Sequence, residues 1–214
     1  ENAVKQISKI RRRLLALTAI AAVAMAGLLH GGIAAPRGVG EVARAQQKVE
    51  GHLAGESRLL SRASPIFLND TVETGPASHA ELALMDQSRL ALGEKAQIVI
   101  DEFVAGTGGS SVLKILRGAL RYTSGLAKPN RSIALVTPVA TIGIRGTDFW
   151  FGPIEGAFGV VLLDGIVEVT NQAGTVVLDE PGEGTLIFGA NIAPGEPAIW
   201  PDDRRARALA TVAF

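Results

Sequence analysis

Val136-Thr137-Pro138-Val139-Ala140-Thr141-Ile142-Gly143-Ile144-Arg145-Gly146-Thr147-Asp148-Phe149-Trp150-Phe151 is the stretch on which the reading of this chain turns. β-branched residues dominate its first half, and Pro138, Gly143 and Gly146 interrupt them. Proline cannot donate to a sheet ladder, and glycine admits backbone geometry that other residues avoid. The segment therefore reads as two strands with a sharp backbone feature between them. Its single cation, Arg145, sits at a Gly-flanked bend. Arg145 is expected to pair with Asp148 and brace that bend, with Gly143 and Gly146 as backbone requirements. The competing reading has its guanidinium hold a carboxylate or carbonyl of a partner. Phe149, Trp150 and Phe151 alternate across a strand, so Trp150 should face away from its neighbours. One of those faces belongs to the core, and the other is a candidate partner surface.

Working outward, short β-prone runs alternate with turn residues. Gln47 to Leu53 reads as a first strand, and Pro65 to Thr74 as a turn and strand around Asn69-Asp70. Glu81 to Met85 and Arg89 to Leu92 alternate polar and apolar about Asp86-Gln87-Ser88, the pattern of a hairpin with one wet face. Gln97 to Val104 is a further strand, and Gly106 to Ser111 a loop. Val112 to Arg117 and Ala119 to Thr123 read as a pair around Gly118. Gly159 to Leu163 and Ile166 to Thr170 flank Asp164-Gly165, the strongest hairpin signal in the chain, because Asp-Gly suits a type I′ turn. Thr175 to Leu178 and Thr185 to Phe188 complete the set. Strands at this spacing predict an all-β body, and pattern alone leaves sandwich, barrel and solenoid-like roll open. Asp203 to Phe214, after the prolines at 194, 197 and 201, reads as a short terminal helix or a frayed tail.

The net charge of zero conceals an asymmetry. Before Pro36 stand five Lys or Arg and one acid, and after it 16 basic and 20 acidic residues. A mildly acidic body argues against nucleic acid as a partner. Leu14 to Ala35 is a run of 22 residues without Asp, Glu, Lys or Arg, directly behind Arg11-Arg12-Arg13. Basic residues followed by an apolar stretch are the pattern of an export signal or a membrane anchor, and the length is compatible with either. Cleavage would fall near Ala34-Ala35 or Ala43-Arg44-Ala45; without cleavage, residues 14–35 would hold the protein in the membrane. The resulting division is a basic region at 1–13, an apolar helix at 14–35, a loose polar linker at 36–48, a β domain at 49–200 and a tail at 201–214.

Thr137 to Phe149 closely resembles the signature of the FecR domain, a run like T-P-V-A-T-I-G-I-R-G-T-x-F. The matching positions are Thr137, Pro138, Val139, Ala140, Thr141, Gly143, Arg145, Gly146, Thr147 and Phe149. Ile66 to Gly75 resembles the family's V-x-x-G-D-x-I-x-T-G stretch, with Asn69 where Gly is usual. Glu81 to Glu102 resembles its central strands, with Gln87 replacing a turn Gly, and Leu116 to Ser124 resembles a further element. The likeness runs from about Val49 to Val169. It implies an extracytoplasmic, FecR-like all-β domain that works through protein contacts. The best-known members relay a signal from an outer-membrane receptor through one membrane helix to a cytoplasmic anti-sigma segment. Residues 1–13 are too few for such a segment, so the expectation is the domain without the rest of the regulator, unless sequence upstream of Glu1 is missing.

No enzyme chemistry stands out. Cysteine is absent, and His30, His52 and His79 have no metal-ligand spacing. Gly106 to Ser111 lacks the Lys of a phosphate-binding loop, and no G-x-S-x-G elbow occurs. Asp101-Glu102 and Asp202-Asp203 read as solvated acidic pairs, with weak Ca²⁺ binding as the alternative. The expectation is a non-enzymatic exported module without cofactor or metal, in contact with envelope proteins for signalling or scaffolding. The alternative is a binding module for a glycan or other envelope polymer, which the aromatic content of 5% disfavours.

Overall fold

The computed structural model describes residues 35–103, 109–125 and 131–214. The apolar run expected to be a helix lies outside them apart from Ala35, as do Val104 and residues 106–108 of the predicted loop; its Gly109 to Ser111 open a strand instead. Among the described residues no helix is long and apolar enough to cross a membrane.

The body is predominantly β. In chain order its strands are β1 (Gly38–Gln46), β2 (Val49–Leu53), β3 (Glu56–Leu59), β4 (Pro65–Phe67), β5 (Thr71–Thr74), β6 (His79–Leu84), β7 (Arg89–Leu92) and β8 (Gln97–Glu102). They continue with β9 (Gly109–Arg117), β10 (Leu120–Thr123), β11 (Arg131–Val136), β12 (Thr141–Ile154), β13 (Ala157–Asn171), β14 (Gly174–Leu178), β15 (Glu183–Ile187) and β16 (Ala198–Ile199). One helix, α1 (Asp202–Ala210), follows.

Hydrogen bonding joins all of these strands, and the long β12–β13 hairpin divides them into two halves. One half runs β3-β2-β5-β8-β9-β11 and reaches the first part of β12, the last part of β13, and β14. The other runs β4-β1-β6-β7-β10 and reaches the last part of β12, the first part of β13, then β15 and β16. Between β1 and β11 the chain passes repeatedly from half to half, the winding of a roll. Every pairing is antiparallel except β9 with β11.

Strict alternation explains why the sheet curls over a single core. In β6, Ala80, Leu82 and Leu84 are buried while the residues between them are not, and β8 buries Ile98 and Ile100 in the same way. Ile98, Ile115, Leu135 and Ile142 of one half join Leu82, Leu120, Phe149 and Phe151 of the other in one apolar cluster. Each such side chain contributes about 1.5–3 kcal/mol by leaving water.

Several expectations are corrected. The stretch 36–48 contains β1, which pairs with β4 and β6; its Val39 and Val42 are fully buried, so two apolar anchors in a polar run suffice for a strand. β9 and β10 do not pair across Gly118 but join opposite halves. Asp164-Gly165 is no hairpin turn; it lies within the 15-residue β13. The hairpin turns instead at Glu155-Gly156, whose φ angles of 52° and 79° are both left-handed, as a type I′ turn requires.

The tail is a lid on the outer face of the second half. Trp200, Ala208 and Val212 pack with Ala119, Trp150 and Val161 in a second apolar cluster. Trp150 Nε1 donates to Thr211 Oγ1 at 2.9 Å, and the Trp150 and Trp200 rings meet edge-on at 6.3 Å. Gly159 and Gly184 make the room: a Cβ on either would lie 2.6 or 2.4 Å from the Trp200 ring. Pro201 precedes α1, Asp202 and Asp203 occupy its first turn, and Arg204 and Arg207 reach Glu155 at the β12–β13 turn. The hydrogen bond to Arg207 holds the Asp203 carboxyl below its usual range.

Two predictions follow from these contacts. Trp200→Ala is expected to cost about 3–5 kcal/mol, seen as a lower denaturant midpoint, and to change the near-UV dichroism of Trp150. Asn69 and Gln87, where the resemblance implies glycines, have φ of 67° and 69°. Asn tolerates this region and Gln does not. Gln87→Gly should therefore raise stability by about 0.5–1 kcal/mol; a lower midpoint would contradict the strain assigned to that turn.

Candidate functional site

The β12–β13 hairpin bends from one half to the other where the signature places Arg145-Gly146-Thr147-Asp148. Register counts show how. Arg145 opposes Ile166, Asp148 opposes Asp164, and Phe149 opposes Leu162. Each strand thus carries an extra residue, β12 at Gly146-Thr147 and β13 at Leu163, and such bulges bend and twist a ladder. Gly146 has φ +59° and Gly165 has φ +86°. The two touch: a Cβ on Gly165 would stand 2.3 Å from the Gly146 carbonyl oxygen. Gly143 is different from the expectation, because an added Cβ would make only ordinary contact with Glu168 at 3.7 Å.

Thr147 fastens the bend from inside. It is 2% exposed. Its N–H donates to Ser124 Oγ at 2.8 Å, its hydroxyl donates to the Ile166 carbonyl at 2.8 Å, and its own carbonyl accepts from Ser124 N–H at 2.9 Å. The end of β10 is thereby tied to the middle of β12 and of β13 at one residue.

The expected Arg145–Asp148 pair does not form. Arg121, on the neighbouring β10, takes Asp148 in a fork, Nε to Oδ1 at 2.9 Å and Nη2 to Oδ2 at 2.7 Å. The reason lies in the register: Asp148 faces Asp164 directly, and like charges opposite one another need a cation. Arg121 and Asp148 are cross-strand neighbours once removed, a relation invisible without the β10–β12 pairing. The hydrogen bonds it donates to Asp148 raise the Arg121 guanidinium further above its ordinary value, against a partial loss from burial. Arg145 is left exposed and pairs with no described residue. Opposite it stands Ile166, 47% exposed. The bend therefore presents a cation beside an apolar side chain.

The other end of the signature is a turn. The Thr137 hydroxyl accepts from the N–H groups of Val139 and Ala140 at 3.2 and 2.9 Å, and donates to the Ala140 carbonyl at 2.7 Å. Pro138, exposed, takes the second turn position, where its fixed φ suits the geometry. Val139 packs on the core and Ala140 is buried. The turn from Thr137 to Thr141 forms one wall of an open depression of about 370 Å³, with Thr170, Asn171, Gln172 and Ala190 opposite. The Asn171 amide is committed, donating to the Gly189 and Ile192 carbonyls and accepting from Ala173 and Gly174. Phe149 is fully buried, stacked at a tilt against Tyr122. Trp150, for which a partner surface was considered, is covered by the chain's own lid.

Residues 70–168 match the model of the family described as FecR protein. This chain carries a FecR domain. The match begins at Asp70, a fully buried carboxylate that Arg58 grips and that also accepts from Phe67 N–H at 2.8 Å. It ends at Glu168 within β13, two residues past Ile166 at the bend. Two crystal structures of candidate anti-sigma factors from Parabacteroides distasonis share the fold, with TM-scores of 0.55 and 0.53 and identities of 14% and 16%. Each alignment covers 65% of this chain, and 63% and 64% of those chains, just under two thirds of their length. No curated protein matches the chain in sequence.

Other candidate groups of the FecR-domain chain are engaged in ion pairs. Asp101 meets Lys114 at 2.7 Å, and Asp202 and Asp203 meet Arg205 and Arg207. His52 Nδ1 is 2.8 Å from Ser57 Oγ. Among the described residues no three His, Asp or Glu gather to hold a metal. Arg121, Ser124 and Ile166 were legible only as parts of strands and not as parts of this bend, and Gly165 was read into a turn that does not exist.

The bend yields a paired test. Gly165→Ala should cost about 2–4 kcal/mol, because it meets both left-handed backbone and a carbonyl. Gly143→Ala should change stability by less than about 1 kcal/mol. Urea midpoints compare the two directly, and equal losses would remove the distinction between a bend glycine and a strand glycine.

Proposed function

We propose that this chain is a non-enzymatic, exported FecR-domain protein that signals or scaffolds in the cell envelope through protein contacts made at the β12–β13 bend. The observation that carries the reading is the exposed Arg145–Ile166 pair. Thr147, Gly146, Gly165 and Phe149 are spent on architecture, and Arg121 neutralises Asp148. Arg145 alone in the signature offers a free charge, beside an exposed aliphatic side chain. An arginine next to an apolar residue suits a protein interface, where Arg is enriched and charge sets the partner's orientation.

The family supports a signalling role, since the structural neighbours are candidate anti-sigma factors. Export rests on the basic and apolar character of residues 1–35. A carbohydrate-binding reading has less support: apart from Phe188 and Phe214, the aromatic rings are not broadly exposed.

The test is in-cell photo-crosslinking from position 166, followed by fractionation. A single protein adduct in the envelope fraction is expected. Arg145→Glu should abolish it while changing stability by no more than about 0.5 kcal/mol, as for an exposed position. If the adduct survives Arg145→Glu, or if that variant unfolds, the bend is not the contact site.

A further inference from the structure

We propose that two copies of this chain pair edge to edge through β14, joining their sheets about a twofold axis at Val176. The inference stands independently of the signalling reading and rests on a comparison of sheet edges. An edge strand exposes unpaired N–H and C=O groups, and proteins protect such edges with charge, proline or shortness. The two halves end at β3 and β14, and at β4 and β16. β3 carries Glu56 and Arg58. β4 has three residues and begins with Pro65. β16 has two residues and lies between Pro197 and Pro201. β14, Gly174-Thr175-Val176-Val177-Leu178, has none of these devices. Among the described residues it pairs with β13 alone.

The strand's chemistry selects the occupant. An antiparallel pair centred on Val176 sets Val176 against the partner copy's Val176. It also sets Thr175 against the partner copy's Val177. β-branched residues placed in this way are favourable cross-strand pairs. No residue from 174 to 178 is charged, so a twofold axis brings no like charges together. Thr175 and Val177 lie on the exposed face, with Val177 46% exposed. Val176 is partly buried against the core. Pairing would extend the sheet and the core in register, as strand addition does elsewhere.

The experiment uses the full chain in a mild non-ionic detergent. Light scattering should give the mass of two chains. The double variant Thr175→Lys/Val177→Lys should halve that mass while the chain stays folded, since both positions are exposed. The chain has no cysteine. Val176→Cys therefore supplies one thiol on the axis and should form a covalent dimer on mild oxidation. Leu59→Cys, 73% exposed on the charged β3 edge, should form no covalent dimer under the same conditions. The proposal is overturned if the unmodified chain has the mass of one chain, whether or not another protein's strand binds it. It is equally overturned if the lysine variant keeps the mass of two, or if Val176→Cys cross-links no more than Leu59→Cys. Should Val176→Cys fail to fold, the lysine variant decides.

Discussion

The close approach of Gly165 to the Gly146 carbonyl is the constraint on which this structure depends. A ladder as long as β12–β13 cannot serve two halves of a curled sheet without a bend. The bend needs one extra residue on each strand and left-handed backbone at both glycines. With the strands this close, any side chain at 165 would force them apart. Thr147 then joins the bend to β10 through Ser124, so the halves are held where they would otherwise separate. The signature is thus a corner piece. Most of its residues are explained by geometry, which leaves Arg145 as the position whose chemistry faces outward.

The two outer faces differ in how they are finished. On the second half, Trp200 and α1 cover Trp150, and small or missing side chains at 159 and 184 give the indole its seat. Burying an aromatic residue of this size contributes more than most single contacts in the body. The outer face of the first half has no such cover among the described residues. It carries Ile166, Val177 and Arg145, and ends at the unprotected edge of β14. Both proposals fall on this face.

Much of the fold was legible because alternation is a local property. Glu81 to Leu92 was readable as a hairpin from its polar and apolar order, and β8, β14 and β15 from β-branched runs. The errors share one cause. Asp164-Gly165 has the composition of a turn, yet the same left-handed backbone that makes a turn also makes a bulge. Glu155-Gly156 lacked the Asn or Asp that advertises a type I′ turn. β1 is mostly polar because β4 and β6 supply its ladder and only Val39 and Val42 must face inward. Asn69 and Gln87 stand where the resemblance implied glycines, and their positive φ is the backbone that glycine adopts most easily.

The sequence by itself determined that this is a β body with a FecR signature, because period-two patterning and a contiguous motif are written in neighbouring residues. Tertiary structure alone decided which side chains meet. Arg121 takes Asp148 because β10 lies beside β12, Trp150 is covered because the last residues fold back on it, and β14 is an edge because nothing described pairs beyond it. Each of these is a relation between segments far apart in the chain. Such relations are set by the order of strands in the sheet, which local pattern does not encode.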